Sequence, residues 1–502
     1  MHRPDVGVCV VAGGGGAPQG GYRWVEPQQS TPPRRRWWWI GAVLLTVVLL
    51  AGGVAGWRTG LLGGRHHGRD AGQPWQPPIG TPKDLLVGFP LDRQPVAGWQ
   101  VRPTDVGLPD YAPLGELFAA NGEKAYFLSQ FVDNFCTTSC RPQQAWVYGV
   151  DTRTGVRLFD PVSLPGYSYD AECFGNGPGV AVCLKTGARL TAWVLDLAHG
   201  SLSSTGPTDV GFAAFPGRPE AHPAGTHFGQ TWLIAAVEGQ GVFGVGSHGE
   251  RTWSVPGDGF FTPMDYRVAN DIPAPTLAVS TGGDPNRVFS VTDGADRTPT
   301  APAGLTLHRA VVYNEGFAYA YRNSQTGETG VLFYDTRGRL AAQRPMGRSV
   351  VTFLDNPPMP AVSVDGNIAV YTAAGAPVTQ FAAPKPVTDV RTIGSKIYVG
   401  LGEPSERRWQ QFDLLTGQAG ATCSGLDLHG TFPDGTYVAS DGTTIVSGIG
   451  MLGERYAAVN MTTCQTMWQT PDDAHVAIWK VGTGLLQRDR DRNTMIWLRP
   501  PG

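Results

Sequence analysis

From about residue 115 onward the chain repeats itself loosely. Each unit has an apolar strand-forming stretch, a polar turn, a second stretch ending in Asp or a substitute, and a turn with Gly. The second stretches read WVYGVDTRTG (Asp151), AWVLDLAHG (Asp196), GVFGVGSHG (Ser247), RVFSVTDG (Asp293), GVLFYDTRG (Asp335), IAVYTAAG (Thr372), RWQQFDLLTG (Asp413) and RYAAVNMTT (Asn460). Successive anchors stand 45, 51, 46, 42, 37, 41 and 47 residues apart, and a last hairpin runs from Ile478 to Trp497. A strand-and-turn unit of this size cannot bury both faces of its small sheet alone. It must stack on its neighbours.

Stacking such sheets in a ring covers their faces and leaves only short edges, so the period predicts an all-β β-propeller. Alternation along Lys396–Leu401 puts Ile397, Val399 and Leu401 on one face. Asn121-Gly122, Asp365-Gly366, Asp434-Gly435 and Asp441-Gly442 are hairpin signals. High Gly (68) and Pro (41) with 16% charged residues suit many short strands and turns. Eight anchors predict eight blades, with seven as the alternative if the unit around Thr372 belongs to a neighbour. Strand material around Leu85–Val101 is expected to close the ring with the C-terminus.

Ahead of the repeats, residues 37–57 (WWWIGAVLLTVVLLAGGVAGW) carry no charge and would span about 30 Å as a helix, a bilayer's hydrocarbon core. Trp37, Trp38, Trp39 and Trp57 sit at its ends, where indole rings prefer the water–lipid boundary. The expected layout is a disordered cytosolic tail (1–36), a single transmembrane helix (37–57), a Pro/Gly-rich linker (58–84) and an extracytoplasmic propeller (85–502). The Arg34–Arg36 cluster weakly favours a cytosolic N-terminus. Cysteines argue more strongly. Cys9 lies before the apolar segment, and the six others, Cys136, Cys140, Cys173, Cys183, Cys423 and Cys464, all follow it, as suits an oxidising compartment. Cys173 and Cys183 flank the turn sequence Asn176-Gly177-Pro178-Gly179, so two strands folding back there would bring them together. Cys136 and Cys140 could close a small loop, which leaves Cys423 with Cys464.

The D-x-x-T-G pieces resemble the repeats of pyrroloquinoline-quinone-type propellers, including their cofactor-free relatives. In that family a Trp eight positions after the Asp docks on the neighbouring blade. Here Phe159, Ser204, Ala421 and Trp468 stand eight positions after Asp151, Asp196, Asp413 and Asn460, and Trp253 holds a near-equivalent place after a shortened turn. The resemblance implies the fold. The whole layout also looks like that of single-pass, propeller-bearing envelope proteins of actinobacteria.

Little in the sequence points to catalysis. A quinoprotein of the resembled family would need stacking aromatics and a calcium ion, and that family often carries two adjacent cysteines; no adjacent pair exists here. Asp489, Asp491 and Asn493 have the spacing that opens some calcium loops but lack the later Gly and Glu, so they read as a solvated hairpin tip. His222 and His227 are the only close pair of histidines within the repeats. No nucleophile elbow, Walker loop or H-E-x-x-H occurs. With a net charge of −3 and pI near 6.4 the chain has no basic field for nucleic acid. The expectation is therefore a binding or scaffold module for an envelope protein or glycan, with no catalytic residue, no metal and no cofactor. The alternatives are a quinone-dependent oxidoreductase or hydrolase on the same scaffold, and an envelope sensor.

Overall fold

The computed structural model describes residues 86–502 except 133–142, 168–170, 178, 186–190, 209–224, 230–231, 238, 263–275, 314, 355–358, 384–386, 403–407, 425–427, 429–436 and 450–454. Its described residues form nine antiparallel sheets, eight of four strands and one of three. Each sheet is a consecutive stretch of chain with its strands side by side in sequence order, except the last. We number them blades 1 to 9. Blade 1 begins at Glu116–Asn121, blade 2 at Ala171–Gly175, blade 3 at Gly225–Gly229, blade 4 at Phe261–Thr262 and blade 5 at Leu305–Tyr313. Blade 6 begins at Thr352–Phe353, blade 7 at Val387–Ile393, blade 8 at Tyr437–Ser440 and blade 9 at Val476–Val481.

Nine blades replace the expected eight, and seven as well. Each anchor residue stands at or just past the end of a blade's third strand, so eight anchors mark eight blades. The ninth third strand is Thr494–Arg499. It pairs with a fourth strand from elsewhere in the sequence, so no third-to-fourth turn, and hence no anchor, marks this blade. Its fourth strand is Val96–Val101, from the other end of the repeat region, paired antiparallel with Val96 opposite Arg499 and Val101 opposite Met495. Ring closure between the Leu85–Val101 region and the C-terminus is thus as expected. The unit around Thr372 is a complete four-stranded blade of its own.

Strand alternation builds the core. In Val180–Lys185, Ala181 and Cys183 pack toward blade 1, while Val182 and Leu184 pack toward blade 3. In Gly316–Asn323, Phe317, Tyr319 and Tyr321 face blade 4, and Ala318 and Ala320 face blade 6. The result is nine apolar clusters, one at each junction of successive blades. The cluster between blades 9 and 1 joins Val101, Val481, Leu486 and Met495 to Leu117, Phe127 and Tyr148, which closes the circle.

Buried polar side chains tie blades together where the backbone would be left unsatisfied. Asn176 of blade 2 accepts from Leu233 N and donates to Val245 O of blade 3, at 3.1 and 3.0 Å. Asp441 accepts from Leu91 N at 2.8 Å. The buried Arg488 guanidinium of blade 9 bonds Gly115 O and the Glu116 carboxylate at the start of blade 1. Among the described residues no helix is long and apolar enough to cross a membrane. The apolar segment 37–57 lies outside them, as do the expected tail and linker.

Candidate binding surfaces

A four-stranded antiparallel blade puts its first-to-second and third-to-fourth turns on one face of the ring. Its second-to-third turns and the crossings between blades lie on the other. Backbone bonds between turns confirm the pairing. Thr152 N donates to Glu123 O in blade 1, and Leu414 N to Ser395 O in blade 7, each joining the two turns of the first face.

That first face is built of tight turns, and the anchor carboxylates make them. Asp151 Oδ1 accepts from the backbone N and the Oγ1 of Thr154, both at 3.0 Å. Asp413 Oδ1 takes the same two bonds from Thr416, also at 3.0 Å. The D-x-x-T part of the motif is thus an Asx turn that supplies its own hydrogen bonds. Asp335 sits below the usual carboxylate range, held there chiefly by the Arg339 backbone N–H, with further bonds from the Arg339 side chain and Arg337 N. Burial works to raise Asp413, but bonds from Lys396 and Thr416 outweigh it and the carboxyl is lowered.

The motif's glycine serves the next contact. Gly155, Gly200 and Gly294 have φ of +75°, +62° and +70°. Each lies under an aromatic ring carried by the outer part of the preceding blade. A Cβ on them would meet Trp99 at 2.8 Å, Phe159 at 2.2 Å and Trp253 at 2.7 Å. Trp99, on the strand that closes the ring, also donates its indole N–H to Thr152 O at 2.8 Å. Docking of the outer aromatic on the neighbouring blade therefore holds at three junctions. Trp468 differs. Blade 9 has no such turn, and the Trp468 indole donates instead to Leu91 O at 2.8 Å.

The junction of blades 7 and 8 is built otherwise. Ala421 stands where an aromatic would dock. Cys464 takes the turn glycine's place with φ of +59°, its N–H bonded to Asn460 O at 2.7 Å as a turn glycine's would be. Its sulfur is bonded to Cys423 on the outer strand of blade 7, with the two Cα atoms 5.2 Å apart. Beside this link is a cavity of about 330 Å³ lined by Lys396, Gln411, Asp413, Thr416, Gln418 and Thr462, among others. Lys396 Nζ lies 3.0 Å from Asp413 Oδ2.

The remaining sequence candidates fall as follows. Cys173 and Cys183 are directly opposed on adjacent strands of blade 2 and joined, with Cα atoms 3.9 Å apart. Cys136, Cys140 and His222 lie outside the described residues. Asp489, Asp491 and Asn493 do not form a free hairpin tip. Asp489 is buried and bonds Arg492, Asp491 meets His475 at 3.1 Å, and Asn493 accepts from Leu114 N and donates to Ala112 O, both at 2.9 Å. The tip latches blade 9 to blade 1. Among the described residues no group of three His, Cys, Asp or Glu is placed to hold a metal.

A nine-sheet ring closed by its own two ends has a counterpart among known families. The model of the conjugation-associated 9-bladed beta-propeller domain matches residues 71–501. The chain belongs to that family. A relative from Mycolicibacterium smegmatis (strain MKD8), an uncharacterised protein, is 32% identical over 451 residues, covering 83% of this chain and 86% of the relative. Among solved structures, the computationally designed Ika8 protein is similar at 14% identity, 68% coverage of this chain and 99% of that one, with a TM-score of 0.36. BamB from Moraxella catarrhalis is similar at 11% identity, 81% coverage of this chain and 99% of that one, with a TM-score of 0.34.

Proposed function

We propose that the chain is a membrane-anchored, extracytoplasmic scaffold that docks another protein of the cell envelope on the face opposite its tight turns. The observation that carries this reading is the exposed side chains of the blade-to-blade crossings. The blade-to-blade crossings carry exposed large side chains on a rigid ring: Tyr111 between blades 9 and 1, Phe260 between blades 3 and 4, and Val350, 80% exposed, between blades 5 and 6. Loops held by a rigid scaffold are where recognition residues concentrate. On the tight-turn face Val156, Leu340 and Leu415 are exposed too, each in or beside a short turn rather than on a crossing between blades. The family's description as conjugation-associated supports a partner among envelope proteins that act in conjugation. Anchoring rests on the uncharged segment 37–57, and the outward orientation on the six cysteines that follow it.

The test is affinity capture of the tagged full chain from cross-linked envelopes, beside a Phe260→Asp/Val350→Asp variant of unchanged thermal midpoint. One or more envelope proteins should be enriched by the first and lost with the second. Equal capture by both would remove the crossing face from the account, and degradation by external protease of the tail alone would reverse the orientation.

A further inference from the structure

The cavity between blades 7 and 8 lies on the tight-turn face, away from the proposed docking surface. Three junctions contrast with it, while at blades 3 and 7 the turn glycines Gly249 and Gly417 meet Ala192 and Thr379 instead of a ring. Where Trp99, Phe159 and Trp253 cover the next turn glycine, the outer rim is closed by a ring. Here Ala421 leaves that volume empty, and the Cys423–Cys464 bond links the two blades where those three junctions use a ring. A covalent link can hold the two blades together while the space beside it stays accessible.

The lining is polar in a particular way. Gln411 is on the third strand of blade 7, with Trp409 two positions before it packed toward blade 8. Gln411 is only 4% exposed, yet its side chain borders the cavity. Gly420 makes room for it, since a Cβ there would lie 2.5 Å from Gln411 Oε1. The Gln411 amide atoms are not sealed from solvent, so water or a ligand in the cavity can bond them. Around them are the Lys396 ammonium, the Thr462 hydroxyl and the Gln418 amide, while the Thr416 hydroxyl is already spent on Asp413. Asp413 neutralises Lys396, and its Oδ1 is already taken by the turn. The site thus offers donors and acceptors in mixture, with no uncompensated charge and no aromatic wall. An anion would have to displace Asp413, a cation would meet Lys396, and an apolar group would strand the amides. Hydroxyl groups, which donate and accept at once, fit every one of these groups.

We infer that this cavity is a binding site for a pyranose unit of a glycan. About 330 Å³ accommodates a single sugar ring and its first-shell water. The inference does not depend on which protein the opposite face docks.

The test is calorimetry or saturation-transfer NMR on the full chain in a detergent without a sugar head group. The probes are D-glucose, D-galactose, D-mannose and N-acetyl-D-glucosamine, each free and as a short oligomer. At least one should bind saturably, and the oligomer should bind at least as tightly as the free sugar if the natural ligand is a polymer. Gln411→Leu should weaken it about tenfold or more. Ala421→Trp should fill the cavity and abolish binding while leaving the thermal midpoint unchanged or raised. If Ala421→Trp fails to fold, Gln411→Leu decides alone. Absence of saturable binding by every probe overturns the inference, and so does binding that survives Gln411→Leu undiminished. Loss of protein capture by the Phe260→Asp/Val350→Asp variant would leave this result untouched.

Discussion

Cys464 is asked to do two incompatible things, and the conflict can be measured. It holds a left-handed turn that blades 1, 2 and 4 give to glycine, and it links two blades. Its bond closes a loop between positions 41 apart. On the chain-entropy account that length is worth about 4 kcal/mol, against about 3 kcal/mol for a ten-residue separation. Cys173 and Cys183 have that shorter separation and lie within one blade. A side chain in the left-handed region costs about 1 kcal/mol relative to glycine. Two double variants separate the contributions. Cys423→Ala/Cys464→Ala should lose about 4 kcal/mol. Cys423→Ala/Cys464→Gly relieves the turn and should lose about 3 kcal/mol. Both are read by urea unfolding followed through tryptophan fluorescence, beside Cys173→Ser/Cys183→Ser. If the alanine pair proves as stable as the glycine pair, Cys464 is not strained in a glycine's place. If losing the 173–183 bond costs more than losing the 423–464 bond, the seam is not where the covalent stabilisation is greatest.

Two further outcomes follow from the tight-turn face. Gly294→Ala places a Cβ 2.7 Å from the Trp253 ring at a φ of +70°, so thermal unfolding should show a loss of about 2 kcal/mol or more, and an unchanged midpoint would refute the docking role. Asp335 and Asp413 have folded values below their unfolded ones, so they stabilise above about pH 4 and that stability is lost as pH falls through the lowered values. The melting temperature should drop in that window, less steeply in Asp335→Asn/Asp413→Asn; equal acid profiles would contradict it.

Much of this fold is legible along the chain because its contacts are local in kind. Hairpins join strands a few residues apart, so alternation, the Asx-turn Asp and the turn Gly each leave a mark. Asp151, Asp196, Asp335 and Asp413 fall at strand ends for that reason, and Cys173 meets Cys183 across the turn that the sequence displays. The blade count escapes because the ninth blade borrows a strand from the opposite end and so lacks the anchor that marks the others. Polar ties escape for the same cause at longer range: Leu91 and Asp441 are 350 positions apart, and Arg488 and Glu116 are 372 apart. The cavity escapes because it follows from a missing side chain. Ala421 is visible as a departure from the docking pattern, but only the neighbouring blade shows that Cys464 replaces the contact and Gln411 faces the space left.

Closure of the ninth blade by Val96–Val101 carries the whole architecture, and a cross-link tests it most directly. Val96 and Arg499 are partners in the register, and Val96 is exposed. In a Val96→Cys/Arg499→Cys variant, mild oxidation should join the two ends of the domain. The product should run faster on a non-reducing gel, and peptide mapping should find residues 96 and 499 in one disulfide while Cys173–Cys183 and Cys423–Cys464 stay intact. Both new thiols remaining free in the folded, oxidised protein would contradict a nine-bladed ring closed in this way.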